Sequence, residues 1–202
     1  MKRLATVPAL AAALAVLLLT CASAQALRLP AAPRCPVFPA NNPWNQRVDK
    51  LPVSADSAEL IASIGVDAPV HADFGSGTWD GGPIGIPFDV VTRTTPRSRV
   101  PFEYADESDR LRYPIPRHVH IEGGPHATGD RHAILVDKSA CKLYELYDLR
   151  ATAHGWAAGS GAVWSLRSNH LRPAGWTSAD AAGLPIFPGL ARWDEVSRGV
   201  ID

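Results

Sequence analysis

The spacing of apolar residues changes along this 202-residue chain, and each change predicts a different element. Lys2 and Arg3 precede a mostly apolar run from Leu4 to Leu19, which gives way to the small residues Ala22, Ser23 and Ala24. A basic start, a short apolar stretch and a small-residue cleavage site read as a secretory signal peptide over residues 1–24. The run is too short and too rich in alanine to cross a bilayer comfortably, and no later apolar stretch of about 18 residues follows, so no integral membrane segment is expected after its removal. Residues 25–47 carry Pro30, Pro33, Pro36, Pro39 and Pro43 around Cys35. Proline has no backbone N–H to give to a helix, so this stretch reads as an extended lead-in.

Residues 48–202 read as one domain. Ser54 is placed to cap a short helix through Ile64, with Leu60, Ile61 and Ile64 on one face and Gly65 as its stop. From His71 to Val119 short apolar pieces are broken by turn formers, and Ile84 to Val91 and Val100 to Tyr104 read as strands. Asp106 to Arg112 reads as a loop before the proline-spaced segment Tyr113 to Pro116, and Gly123, Gly124 and Gly129 mark a further turn. The clearest element is a hairpin of His132–Asp137 and Cys141–Tyr147 around Lys138, Ser139 and Ala140, rich in β-branched and aromatic residues. Trp156 to Leu166 adds a strand, and the tail holds two short helical turns, one capped by Thr177 with Asp180 three residues on, the other around Trp193 to Arg198. The fold class is therefore mainly β, a single sandwich or barrel-like domain with a few short helices.

Removing the signal peptide changes the composition. The whole chain has 20 basic and 20 acidic side chains; the 178 residues left have 18 and 20, a net charge of −2. That balance argues against a nucleic-acid partner, which calls for a basic surface. Fifteen of the 18 basic residues are arginine, whose forks suit anionic ligands, but Ala, Gly and Pro are raised with it, as GC-rich codons would do, so arginine alone assigns no ligand. Cys21 leaves with the signal, or is lipidated if Leu18 to Cys21 acts as a lipoprotein box, a poor one because threonine precedes the cysteine. Cys35 and Cys141 remain, and two cysteines in an exported chain predict one disulfide.

Register in the hairpin decides which polar groups meet. A loop of two or four residues puts Ile134, Val136, Cys141 and Leu143 on one face near the turn, and His132, Glu145, Asp130 and Tyr147 on the same face at the open end, with His132 opposite Glu145 and Asp130 opposite Tyr147. A three-residue loop separates Glu145 from His132 instead. The opposite face would be a mixed surface. With Glu122 beside the Gly123–Gly124 turn, the even register yields five acid/base candidates: Glu122, Asp130, His132, Glu145 and Tyr147. Paired carboxylates suit glycoside hydrolysis, and a His or Tyr base suits proton abstraction in a lyase. The competing reading is a hydrogen-bonded structural network at the end of a sheet.

Other patterns carry less. His118, His120 and Glu122 have a ligand-like alternation, but Pro114 and Pro116 argue against the strand it needs, so neither a metal nor any other cofactor is assigned. His71, His126, His154 and His170 show no ligand spacing. Gly159-Ser160-Gly161 lacks the spacing of a nucleophile elbow. Six tryptophans are many for this length, and indole faces stack on sugar rings, so Trp79, Trp156 and Trp176 are candidate polysaccharide contacts, while Trp164 and Trp193 read as core.

The segments GSGAVWSLRSN from Gly159 and RPAGWTSADAAGLPIFPGLARWDEV from Arg172, with CPVFPANNPWN from Cys35 and GDRHAILVDKSACKLYELYDL from Gly129, resemble a family of secreted bacterial proteins, actinobacterial in type and uncharacterised in activity. The resemblance implies export and a single shared domain across the mature chain, and transfers no reaction. Members of that family continue beyond Gly199 through another strand, so this chain is expected to lack a last strand. Together these readings point to a secreted, extracellular or periplasmic protein acting on polysaccharide by acid/base chemistry, or to a non-catalytic carbohydrate- or wall-binding module.

Overall fold

A computed structural model describes residues 26–69, 75, 77–79 and 81–201. The signal peptide, Cys21 and His71 lie outside the described residues. In chain order the elements are α1 (Ser57–Ile64), β1 (Thr78–Trp79), β2 (Gly82–Pro83), β3 (Phe88–Val91), β4 (Ser98–Arg99), β5 (Arg112–Tyr113), β6 (Ala133–Asp137), β7 (Lys142–Tyr147), β8 (Arg150–Thr152), β9 (Gly155–Ala157), β10 (Ser160–Ser165) and α2 (Trp193–Val196), with short 3-10 turns at Pro43–Asn45 and Phe187–Gly189. The protein is mainly β, as its alternating segments require.

Four strands form the central sheet, in the order β10-β7-β6-β3, with β3 parallel to β6 and the other pairs antiparallel. The sheet is open and does not close into a barrel. Three two-stranded ribbons, β1-β2, β4-β5 and β8-β9, accompany it. The β6-β7 hairpin has the even register: Ile134 faces Glu145, Val136 faces Leu143 and Asp137 faces Lys142. Its four-residue turn, 138–141, is closed by the Asp137 carboxylate, whose Oδ1 accepts the N–H groups of Ser139 (2.9 Å) and Ala140 (3.1 Å). Cys141 takes up the bend at φ +49°.

Both faces of this sheet are covered, which corrects the mixed surface expected on the second one. Because successive strand residues point to opposite sides, Ile134, Val136, Leu143, Ala162 and Trp164 line one apolar cluster, and Ala133, Leu135, Tyr144 and Leu146 the other. On the first face lie Leu29, Val37 and Phe38 of the proline-rich segment, together with Phe187 of the tail. The Cys35–Cys141 disulfide fastens that segment to the hairpin turn. The lead-in is thus a core layer. On the second face Val100, Tyr113, Ile115 and Leu149 pack inward, with the rings of Phe102, Tyr113 and Tyr144 meeting edge to face at 5.6 and 5.7 Å.

Several boundaries move from the sequence reading. Val100 to Tyr104 is not a strand: Pro101 has no N–H for a ladder, and the segment makes a single parallel bridge, Phe102 to Ala158. The strand expected over 156–166 divides into β9 and β10 around Gly159, where a Cβ would fall 2.5 Å from the Tyr147 ring. No helical turn starts at Thr177, because its N–H (2.9 Å) and hydroxyl (2.6 Å) both bind the Glu107 carboxylate. The cap of α1 is Asp56, whose side chain makes no capping bond; Ser54 contributes its carbonyl to Ser57 N–H (3.0 Å).

Candidate functional site

The even register brings His132, Glu145 and Tyr147 to one face, and a turn brings Glu122 to join them. Glu122 N–H donates to the His132 carbonyl (2.9 Å), and the chain then reverses through Gly123 and Gly124, both at positive φ. Ribbon β1-β2 closes against this turn so tightly that a Cβ at Gly82 would lie 2.1 Å from the Gly123 carbonyl oxygen. Held there, the Glu122 carboxylate accepts the His132 backbone N–H (3.2 Å) and its ring Nδ1 (2.6 Å).

The other ring nitrogen, Nε2, lies 3.1 Å from the Ala179 carbonyl, which can only accept, so Nε2 carries a proton. With a carboxylate at Nδ1, the doubly protonated ring satisfies both contacts. Burial works against that charge, but the Glu122 hydrogen bond and charge and the Ala179 carbonyl outweigh it, and the imidazole is held above its ordinary value. Burial also raises the Glu122 carboxyl, but donation from His132 outweighs it and leaves the group below the ordinary carboxylate range.

Glu145 is in this neighbourhood but does not open on solvent: it is 0% exposed. Its register partner is Ile134, two residues from the expected His132, because the four turn residues are 138–141, one position later than the His132–Glu145 pairing needs. Oε1 accepts Phe187 N–H (2.8 Å) and Oε2 accepts Ile186 N–H (2.9 Å), so the carboxylate anchors the tail to the sheet. Burial pushes its carboxyl up to about 7, against the pull of those two N–H groups and of His132. Tyr147 is half-buried with its ring centroid 5.9 Å from that of His132. Desolvation, then the carboxylates of Asp130 and Asp148, raise its hydroxyl above its ordinary value.

Asp130 does not share the face by alternation. Arg131 breaks the extended backbone at φ +52° and sends a buried guanidinium to the carbonyls of Leu149, Ala127 and Pro125, leaving Asp130 exposed. His118 and His120 are not on a strand either. His120 binds Asp89 through Nδ1 (2.7 Å), Glu122 turns to His132, and among the described residues no three His, Cys, Asp or Glu side chains gather as metal ligands. The Ser160 hydroxyl donates to the Ser178 carbonyl (2.6 Å) and is spoken for.

The tryptophans redistribute. Trp79 pairs through its backbone in β1 with Gly82. Trp156 is half-buried against the second cluster. Trp176 is also half-buried, 5.5 Å from the guanidinium of Arg172, which also lies 5.7 Å from the ring of Trp164. That arginine also binds Asp109, the Glu107 carbonyl (2.6 Å) and the Thr177 carbonyl (2.9 Å), so its 5%-exposed side chain is a hub of the tail. Trp164 is in the core as expected. Trp193, expected there too, is 80% exposed, and Trp44 is 46% exposed with its ring edge against Gly189. The exposure of Trp44 and Trp193 was not read from the sequence; Pro43 and the asparagines beside Trp44 were the available signal. No family model, curated protein or solved structure matches the chain.

Proposed function

We propose that this is an exported, non-catalytic carbohydrate- or wall-binding module. The observation that carries the reading is the pair of solvent-facing indoles, Trp44 and Trp193. Such broad apolar faces are costly to leave in water and stack well on the apolar faces of sugar rings. Export is supported by the Cys35–Cys141 disulfide.

Two of the five acid/base candidates speak for binding over turnover. Glu145 has no exposed surface and both oxygens are used; His132 has an acceptor at each ring nitrogen. A general acid or base must come within hydrogen-bond reach of the reacting atom. A second, catalytic reading rests on Glu122, whose side chain is 30% exposed, with Asp130 and Tyr147 near its partner His132. The two separate on a panel of polysaccharides assayed for binding, for new reducing ends and for unsaturated products. Binding without product, weakened about tenfold or more by Trp44→Ala or Trp193→Ala, is the expected result. A product whose formation is lost in folded Glu122→Gln would replace the module by an enzyme.

A further inference from the structure

Away from the Glu122–His132 cluster, two concavities are lined by arginine. The larger, about 470 Å³, is lined by Arg34, Arg93 and Arg97 together with Thr92, Thr94 and Ser139, the two threonine hydroxyls bonded to each other (2.8 Å) and Ser139 Oγ accepting the Arg93 N–H (3.2 Å). The smaller, about 320 Å³, has Arg99, Arg110 and Arg112 around Val100 and Leu111. Both volumes fall within the range of small-ligand sites. They are neighbours: Arg97 Nη1 donates to the Arg112 carbonyl (3.4 Å) and Arg112 Nη1 to the Arg97 carbonyl (3.3 Å), so the two linings adjoin at the β4-β5 ribbon.

Among the described residues one acid lines the pair of cavities, and it is spent. Asp137 is 1% exposed at its side chain; Oδ2 takes Arg97 Nη2 at 2.8 Å, and Oδ1 takes the two turn N–H groups. Among the described residues the guanidinium groups of Arg34, Arg93 and Arg99 have no side-chain partner, and Arg110 and Arg112 each spend one nitrogen on a carbonyl. Six arginines against one neutralised aspartate is a local excess in a chain whose formal charge is zero overall. Unpaired cations held side by side repel each other, and a bound polyanion removes that repulsion.

The geometry points to a binding track for an anionic polysaccharide, with its carboxylate or sulfate groups on the free arginine forks and its hydroxyls on Thr92, Thr94 and Ser139. A guanidinium meets either oxyanion with two parallel N–H bonds. Among the described residues neither cavity has an aromatic lining, so the ligand is held by arginine forks and hydroxyls with no base stacking, which disfavours a single-stranded nucleic acid. This rests on the carbohydrate-binding reading and names its ligand class.

The test is isothermal titration of the full mature chain with polygalacturonate, dextran sulfate, neutral dextran and a single-stranded oligonucleotide, at low and at 0.3 M salt. One or both anionic glycans bind, at least tenfold more weakly at the higher salt. Arg34→Ala/Arg93→Ala weakens them tenfold or more with an unchanged unfolding temperature, and Arg99→Ala/Arg110→Ala weakens them further for the longer chains. Anionic binding that ignores both double variants overturns the track, as does tighter binding of the oligonucleotide than of either glycan. If only neutral dextran binds, the track falls and the module reading stands. If no glycan binds, both fall; if a glycan is cleaved but its binding still needs the arginines, the module reading falls and the track stands.

Discussion

Glu145 illustrates at the scale of one residue how the same carboxylate can be chemistry in a sequence and scaffolding in a fold. Apolar neighbours in β7 put it in the core, where an ionised carboxylate persists only if its oxygens are fully occupied; the N–H groups of Ile186 and Phe187 do this. A carboxyl pushed up to about 7 from 4.5 holds its proton in the folded state over a window in which the unfolded chain has released it, so its contribution to stability falls as pH rises through that window. His132 acts in the same direction: its raised value means that its ion pair is fully present below 6.5 and is lost as pH rises through the folded value. Glu122, lowered, acts oppositely, contributing above 4.5 and losing that contribution on acidification. Urea unfolding at several pH values should therefore show greatest stability near pH 4.5, a decline from there to about pH 7 as Glu145 gives up its proton, and a further decline above 6.5 as His132 does. Glu145→Gln should lower stability by about 1 to 3 kcal/mol, since an amide cannot accept at both positions, and should flatten the decline between about pH 4.5 and 7. An unaltered slope in that variant would show that Glu145 does not titrate there.

At the scale of elements, the strands that could be read were those whose pattern was local. The hairpin's two strands, its even register and the pairing of the two cysteines follow from alternation and from cysteine count. The exact turn length did not, because it is set by Asp137 capping the turn and by Cys141 adopting a positive φ under the disulfide. Ribbons of two residues, such as β4 and β5, carry no periodicity to detect. α1 formed where its apolar spacing placed it, yet Leu60 and Ile64 are 58% and 72% exposed, so periodicity marked the helix and not its burial. The 25–47 segment shows the converse, since its prolines read as an extended lead-in and hid the fact that Leu29, Val37 and Phe38 are core. Its attachment gives a prediction: Cys35→Ser/Cys141→Ser should lower the unfolding free energy by about 4 to 5 kcal/mol on the chain-entropy account of a loop of this size. Hydrogen exchange should accelerate along β6 and β7 as the layer loosens. Equal denaturant midpoints with and without reductant would contradict this.

At the scale of the whole molecule, the sheet is a partition between two apolar clusters, and one of them is closed by residues far apart in sequence. Phe187 is wholly buried and meets Phe88 edge to face at 5.1 Å, joining the tail to the edge strand. Phe187→Ala should cost about 3 to 5 kcal/mol in chemical unfolding, far more than an exposed position such as Leu171→Ala; similar values for the two would deny the tail its place in the core. The candidate site was legible in part: His132, Glu145 and Tyr147 share a face because strand alternation is a local rule, whereas the turn that brings Glu122 to His132, and the positive φ of Arg131 that removes Asp130, are long-range outcomes of packing. The arginines were visible only as a count. By itself the sequence determined the β-rich class, the main hairpin and its parity, and the cysteine pair, since each depends on neighbours within a few residues or on simple arithmetic. Tertiary structure alone decided which polar groups were spent on holding the chain together and which were left facing water, because burial and hydrogen-bond partnership arise only when distant segments close on one another.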